Sequence, residues 1–120
     1  MRQGIVVFGH GSSVASANDA VRSVTQEAAR QGQWDLCETA FLEVSPRLEE
    51  AVGKLVEAGA QQILVLPYFL TLGIHLQRDL PKLVSDLEAI YRIPIRVAPP
   101  LDGHAALSGI LVARAAEALS

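Results

Sequence analysis

Three histidines carry most of the chemistry this chain offers: His10 in Gly9-His10-Gly11-Ser12-Ser13, His75 in Leu70-Thr71-Leu72-Gly73-Ile74-His75-Leu76, and His104 in Leu101-Asp102-Gly103-His104. His10 follows the apolar run Ile5–Phe8, and the glycines around it let the backbone turn sharply. Glu43 lies between Leu42 and Val44 at the end of another apolar run. Two imidazoles and a carboxylate make an N/N/O donor set that suits divalent cobalt, nickel, iron or zinc. Three protein ligands leave a coordination position open for a substrate. No local spacing such as HExxH supports the set, so the fold has to gather it. Each residue also has a plainer use. His10 can bond backbone at a turn, and Ser12 and Ser13 can cap a helix or line an anion nest. Glu43 can pair with an arginine or help the next helix start. His104 reads as a surface residue and Cys37 as a small core residue. His75, in an apolar loop, needs a partner or a task. Arg78 and Lys82 follow it and offer either positive charge for an anionic substrate or a solvated helix face.

The elements that must position these residues follow from hydrophobic spacing. Apolar runs at Ile5–Phe8, Cys37–Val44, Gln62–Leu66 and Ile95–Ala98 read as strands. The first and third are apolar enough to be covered on both faces. Asn18 caps a helix carrying Val21, Val24 and Ala28 that stops near Gly32. Ser45-Pro46 reads as N-cap and first position of a second helix carrying Leu48, Val52, Leu55 and Val56, which ends at Gly59. A third helix carries Leu80, Leu83, Val84, Leu87 and Tyr91 on one face, with Pro81 in its first turn. A fourth, with Leu107, Ile110, Leu111, Ala115 and Leu119, runs to the terminus. The alternation predicts an α/β fold: a single three-layer domain over residues 1–120, with a four-stranded, mainly parallel sheet and helices on both faces. Sites in such sheets lie beyond the carboxyl ends of the strands. That edge would collect His10, Glu43, His75 and His104.

Composition limits the partners. Net charge of −3 argues against a nucleic-acid surface. No apolar run approaches the ~20 residues of a membrane span, and the start carries no cleavage-site pattern. One cysteine excludes an internal disulfide and a cysteine metal cluster. A cytoplasmic location is expected.

Several motifs together resemble the short CbiX-type sirohydrochlorin chelatases. They are the first strand with His10-Gly11-Ser12, Phe41-Leu42-Glu43 followed by Pro46, and the stretch LPYFLTLGIHLQRDLP. Within the last, Pro67-Tyr68-Phe69-Leu70, Gly73-Ile74-His75 and Asp79-Leu80-Pro81 match the family's P-x-F-L, G-x-H and D-[IL]-P. The later PPLDGHAAL resembles P-L-G-x-H-P-x-L. The resemblance spans nearly the whole chain. It implies a class II chelatase fold, in which longer relatives join two such halves and short forms pair as homodimers. It implies insertion of a divalent metal into sirohydrochlorin or a related tetrapyrrole, cobalt in cobalamin synthesis, iron in siroheme synthesis, and nickel in related members. His10 and His75 are then the metal-holding, catalytic histidines, and Glu43 the third active-site group. The chain departs from the pattern at Ser13, where many members have arginine, at Asp102, where glycine is usual, and at Ala105, where proline is usual.

The expected reaction is therefore metal insertion in cobalamin or siroheme biosynthesis, with the metal as substrate and no organic cofactor. Gly11, Ser12, Phe69, Leu70 and Arg78 are expected to contact the tetrapyrrole, with Gly9 and Gly11 clearing space for the flat ring and Leu70, Leu72, Ile74 and Leu76 forming an apolar wall. Either His10, while unmetallated, or Glu43, if its apolar neighbours disfavour its charged form, would take the pyrrolic protons. The alternative is a non-catalytic metal-binding or metal-delivery protein that uses the same histidines. A serine hydrolase is disfavoured because no G-x-S-x-G elbow is present.

Overall fold

The run Gln3–Gly9 forms β1, in which Ile5, Val6, Val7 and Phe8 are all buried. A strand apolar on both faces has to be interior to a sheet that is covered on both sides. The computed structural model, which describes residues 2–120, puts it there. The order continues through α1 (Ala15–Gly32), β2 (Leu36–Phe41), α2 (Leu48–Glu57), β3 (Gln62–Pro67), α3 (Gly73–Tyr91), β4 (Ile95–Val97) and α4 (Ala106–Leu119). The four strands are parallel in the order β2-β1-β3-β4. The α/β architecture is thus the one the alternation predicts.

Period-two alternation divides the sheet into two faces. Val6, Phe8, Ala40, Ile63, Val65 and Ile95 point to one face and form the main core with Leu48, Val52 and Leu55 of α2 and Leu76, Leu80, Val84 and Leu87 of α3. Ile5, Val7 and Phe41 are buried on the other face, which α1 covers on its β2 side. There Val21 of α1 lies over Gly9, and the Arg22 guanidinium stacks 5.3 Å from the Phe41 ring centroid.

Helix starts differ from those read in the sequence. Asn18 does not cap α1, which begins three residues earlier with Val14 at the N-cap and no side-chain cap bond. The Asn18 side chain is committed to Ser12, accepting from its N–H (2.9 Å) and donating to its C=O (2.8 Å). Ser45 and Pro46 precede α2 instead of opening it, and the peptide between them is cis. The Pro46 carbonyl accepts from Phe41 N–H, which ties the segment to the end of β2, and Ser45 Oγ donates to Glu50. The third helix starts at Gly73, so Pro81 lies inside it. The buried stripe extends back to Leu76, which adds a turn of packing before the proline. Pro81 is exposed and deprives only the exposed Gln77 of a carbonyl partner, which water can replace. β2 ends at Phe41 and β4 at Val97, both short of the runs read as strands. No residue of α4 is buried.

Candidate functional site

The site begins with a backbone zipper past the ends of the strands. Leu42 N–H donates to the Gly9 carbonyl (2.9 Å) and Glu43 N–H to the His10 carbonyl (3.0 Å), which extends the β1–β2 ladder into both loops. Glu43 therefore lies beyond β2, not at its end. Arg47 holds the same loop from outside, donating to the carbonyls of Leu42 (2.6 Å) and Glu43 (3.2 Å). This places Glu43 Oε1 3.4 Å from His10 Nε2, with the two side chains 62 % and 59 % exposed. An exposed pair of this kind is open to water and to an incoming ligand. Glu43 lacks the enclosure that Leu42 and Val44 suggested, because its side chain is largely exposed to solvent.

Gly11 has φ +88°, and a Cβ there would meet Val44 Cγ2 at 2.8 Å and Phe41 Cβ at 3.0 Å. Its missing side chain makes room for the β2–α2 loop. Gly9 has ordinary φ, and a Cβ there would touch Val21 at a normal 3.7 Å. Ser12 is a structural residue. Its Oγ accepts from Val14 N–H (3.0 Å) and its backbone is clamped by Asn18. Ser13 is exposed.

His75 occupies the first turn of α3 and not a loop, because Gly73 (φ +76°) starts the helix two residues before it. Its Nδ1 lies 3.4 Å from Arg78 Nη2, one helical turn on, and Arg78 Nε donates to Asp79 (3.1 Å). An imidazole that accepts at Nδ1 carries its proton on Nε2. A metal at Nε2 would therefore require Arg78 to swing away.

His10 and His75 face one apolar cleft of about 410 Å³, which Leu42, Phe69, Leu72 and Ile74 also line. Phe69 forms its inner wall, stacked edge-on against His10 (centroids 6.3 Å, 87°) and tilted against Phe8 (5.8 Å). Of the leucines expected in the wall, Leu72 and Leu76 line the cleft, whereas Leu70 points to solvent with 64 % exposure. Arg78 stands beside His75 and outside the cleft lining. Sequence reasoning missed three residues here: Leu42, Asp79 and Arg47. The first two lie inside motifs quoted above, but as neighbours of the residues singled out; Arg47 acts through carbonyls and leaves no signature in sequence.

His104 reaches the same edge but turns away. Leu101 and Asp102 N–H donate to the carbonyls of Phe69 and Leu70 (both 2.9 Å), and His104 Nδ1 accepts from Ala106 N–H (3.0 Å) at the start of α4. Among the described residues no three His, Cys, Asp or Glu side chains cluster tightly enough to enclose an ion. The expected N/N/O set is thus a close His10–Glu43 pair with His75 set apart on α3. Cys37 is a half-buried thiol, pushed up to about 11 chiefly by burial and further by Glu38, as befits an inert packing residue. No helix among the described residues is long and apolar enough to cross a membrane.

The chain as a whole is similar to known proteins. The crystal structure of a CbiX protein assigned to cobalamin (vitamin B12) biosynthesis from Marinobacter aquaeolei VT8 superposes with TM-score 0.86 at 26 % identity, covering 99 % of this chain and 96 % of that one. The sirohydrochlorin cobaltochelatase of Sulfolobus acidocaldarius is 32 % identical over 98 % of this chain and 93 % of its own length. That of Methanopyrus kandleri is 35 % identical over 68 % of this chain, and the match spans only 57 % of that relative. The CbiX family model matches residues 4–118, and with that span and these relatives the chain belongs to the CbiX family.

Proposed function

We propose that this protein inserts a divalent metal, cobalt first among cobalt, iron and nickel, into sirohydrochlorin or a closely related tetrapyrrole, working in the cytoplasm as a homodimer. The observation that carries the reading is His10, paired with Glu43, lining the same cleft as His75. The names of the relatives from Sulfolobus and Methanopyrus support the same substrate and metal.

His10 and His75 hold the incoming metal. Two neutral imidazoles bind a divalent cation firmly enough to orient it and loosely enough to surrender it to four ring nitrogens. Leu42, Phe69 and Ile74 give the flat ring an apolar bed. Arg78 leaves His75 and Asp79 to meet a substrate carboxylate, which also frees the His75 ring for the metal. As the metal passes from His10 Nε2 to the macrocycle, that lone pair becomes available for a pyrrolic proton. Glu43, 3.4 Å away, stabilises the imidazolium as a carboxylate until it accepts the second proton itself. Both groups are open to water and discharge there. Two N–H protons leave and one divalent cation enters, so charge balances. A second copy deepens the shallow cleft of one chain.

The test is metal insertion followed by absorbance, with purified protein, sirohydrochlorin and Co²⁺, Fe²⁺ or Ni²⁺. The expected result is acceleration over the protein-free rate, falling about 100-fold or more in His10→Ala and in His75→Ala, the scale typical of losing an acid–base or metal-holding group. Histidine-dependent metal binding without turnover on any of the three metals would overturn the enzyme reading in favour of metal delivery.

A further inference from the structure

A second cavity opens beside the histidine cleft, at Leu42. It holds about 240 Å³ between the start of α2 and the middle of α3, with Phe8, Leu48 and Leu83 in its walls and Arg47 and Glu49 also lining it. Leu42 lines both hollows, so the two meet at its side chain. Phe8 of this cavity tilts against Phe69 of the cleft. α3 walls both, with Leu76 and Asp79 in the cleft and Leu83 one turn further on in the cavity. Together they form an apolar trough along α3.

Arg47 is the unusual group in it. Its guanidinium donates to two neutral carbonyls, those of Leu42 (2.6 Å) and Glu43 (3.2 Å). Arg22, Arg30, Arg78 and Arg114 each pair with a carboxylate, and among the described residues no ion pair includes Arg47. The carbonyls thus fix its position without cancelling its charge. A guanidinium carries five N–H donors in a planar fork that matches a carboxylate. Two are in use, and three remain. Glu49, exposed beside the same cavity, opposes an anion there.

We infer that this cavity is a subsite for one carboxylate arm of the tetrapyrrole, with the methylenes of the arm against Leu42 and Leu83 and its carboxylate on Arg47. The inference rests on the reading above and deepens it. Glu43, whose carbonyl Arg47 holds, places its carboxylate 3.4 Å from His10, so a ring metallated there lies one residue from this cation. Arg78, beside His75, stands at the other end of the trough. Apolar contact is non-directional, and a cation at each end of the bed fixes the rotation of the ring that such contact leaves free. Arg47 is therefore a binding residue that contributes affinity and register.

Equilibrium titration with metal-free sirohydrochlorin, read by the absorbance of the tetrapyrrole, tests the subsite at about 0.01 M and about 1 M salt, where charges act over about 30 Å and about 3 Å. At low salt Arg47→Gln is expected to weaken binding about tenfold, the scale of a charge-assisted hydrogen bond, and at high salt the loss shrinks severalfold. Glu49→Gln removes a like charge and is expected to tighten binding about twofold at low salt. Circular dichroism checks that both variants are folded. Wild-type affinity in Arg47→Gln overturns the subsite. So does a loss equal at both salt concentrations, or a Glu49→Gln variant that binds no tighter, because either result leaves Arg47 as only a brace for the Glu43 loop. Wild-type protein that fails to bind sirohydrochlorin overturns the subsite and the proposed reaction together, whereas metal insertion by wild type with an indifferent Arg47→Gln overturns the subsite alone.

Discussion

At the scale of single residues, the segment around His10 mixes two kinds of necessity. His10 and Glu43 carry chemistry, yet their neighbours are fixed by geometry. Gly11 is the sharpest case, because φ +88° and two contacts of 3.0 Å or less leave no room for a Cβ. Gly11→Ala is expected to destabilise the fold by about 2 kcal/mol or more, from left-handed backbone strain and the clash with Val44. Gly9→Ala, with ordinary φ and a normal contact to Val21, is expected to stay within about 1 kcal/mol of wild type. Urea unfolding of the two variants measures the difference, and equal losses would contradict this account of Gly11. Ser12 and Asn18 could not be told from a ligand pair or a helix cap in sequence. A side chain that bonds six residues back looks the same in one dimension as one that bonds its own helix.

At the scale of elements, the loops at the carboxyl edge are held by a few long-range bonds rather than by burial. Asn18 joins α1 to the His10 loop, Arg47 joins α2 to the Glu43 loop, and the backbone zipper joins those loops to each other. Removing the Asn18 amide leaves the N–H and C=O of Ser12 without their partner. Asn18→Ala is therefore expected to cost about 1–2 kcal/mol and to loosen His10. The accompanying sign is faster amide exchange at Ser12 and Val14 with the β3 core unchanged, and protection equal to wild type at Ser12 would remove Asn18 from the site's support. The elements themselves were largely legible. Strand and helix order, the parallel sheet and the helical stripe Leu80–Val84–Leu87 all follow from apolar spacing. The start of α3 was not, because Pro81 looked like a first-turn residue. The extra turn through Leu76 depends on core contacts that outweigh one lost carbonyl bond. That turn moved His75 from a loop onto a helix, with Arg78 as its neighbour.

At the scale of the whole molecule, one copy is left with an apolar helix in water and an uncovered sheet flank. The pairing proposed above would tie stability to concentration by mass action. The melting temperature is expected to rise by about 5 °C over a hundredfold increase in protein concentration. Differential scanning fluorimetry reads it, and a wild-type melting point that does not move with concentration would count against a pair whose folding and association are coupled.

By itself the sequence determined the α/β class, the edge at which chemistry collects, and the motifs of the CbiX family around His10, Glu43 and His75. These are written in periodicity and in short contiguous stretches, both of which survive in one dimension. Tertiary structure decided which of the gathered residues meet. It brought Glu43 to His10, kept His75 across the cleft, turned His104 aside to cap α4, and gave Gly11 to the β2–α2 loop. It also left every residue of α4 short of burial. Such outcomes depend on bonds between segments far apart in the chain and on which surfaces remain uncovered once the core has closed.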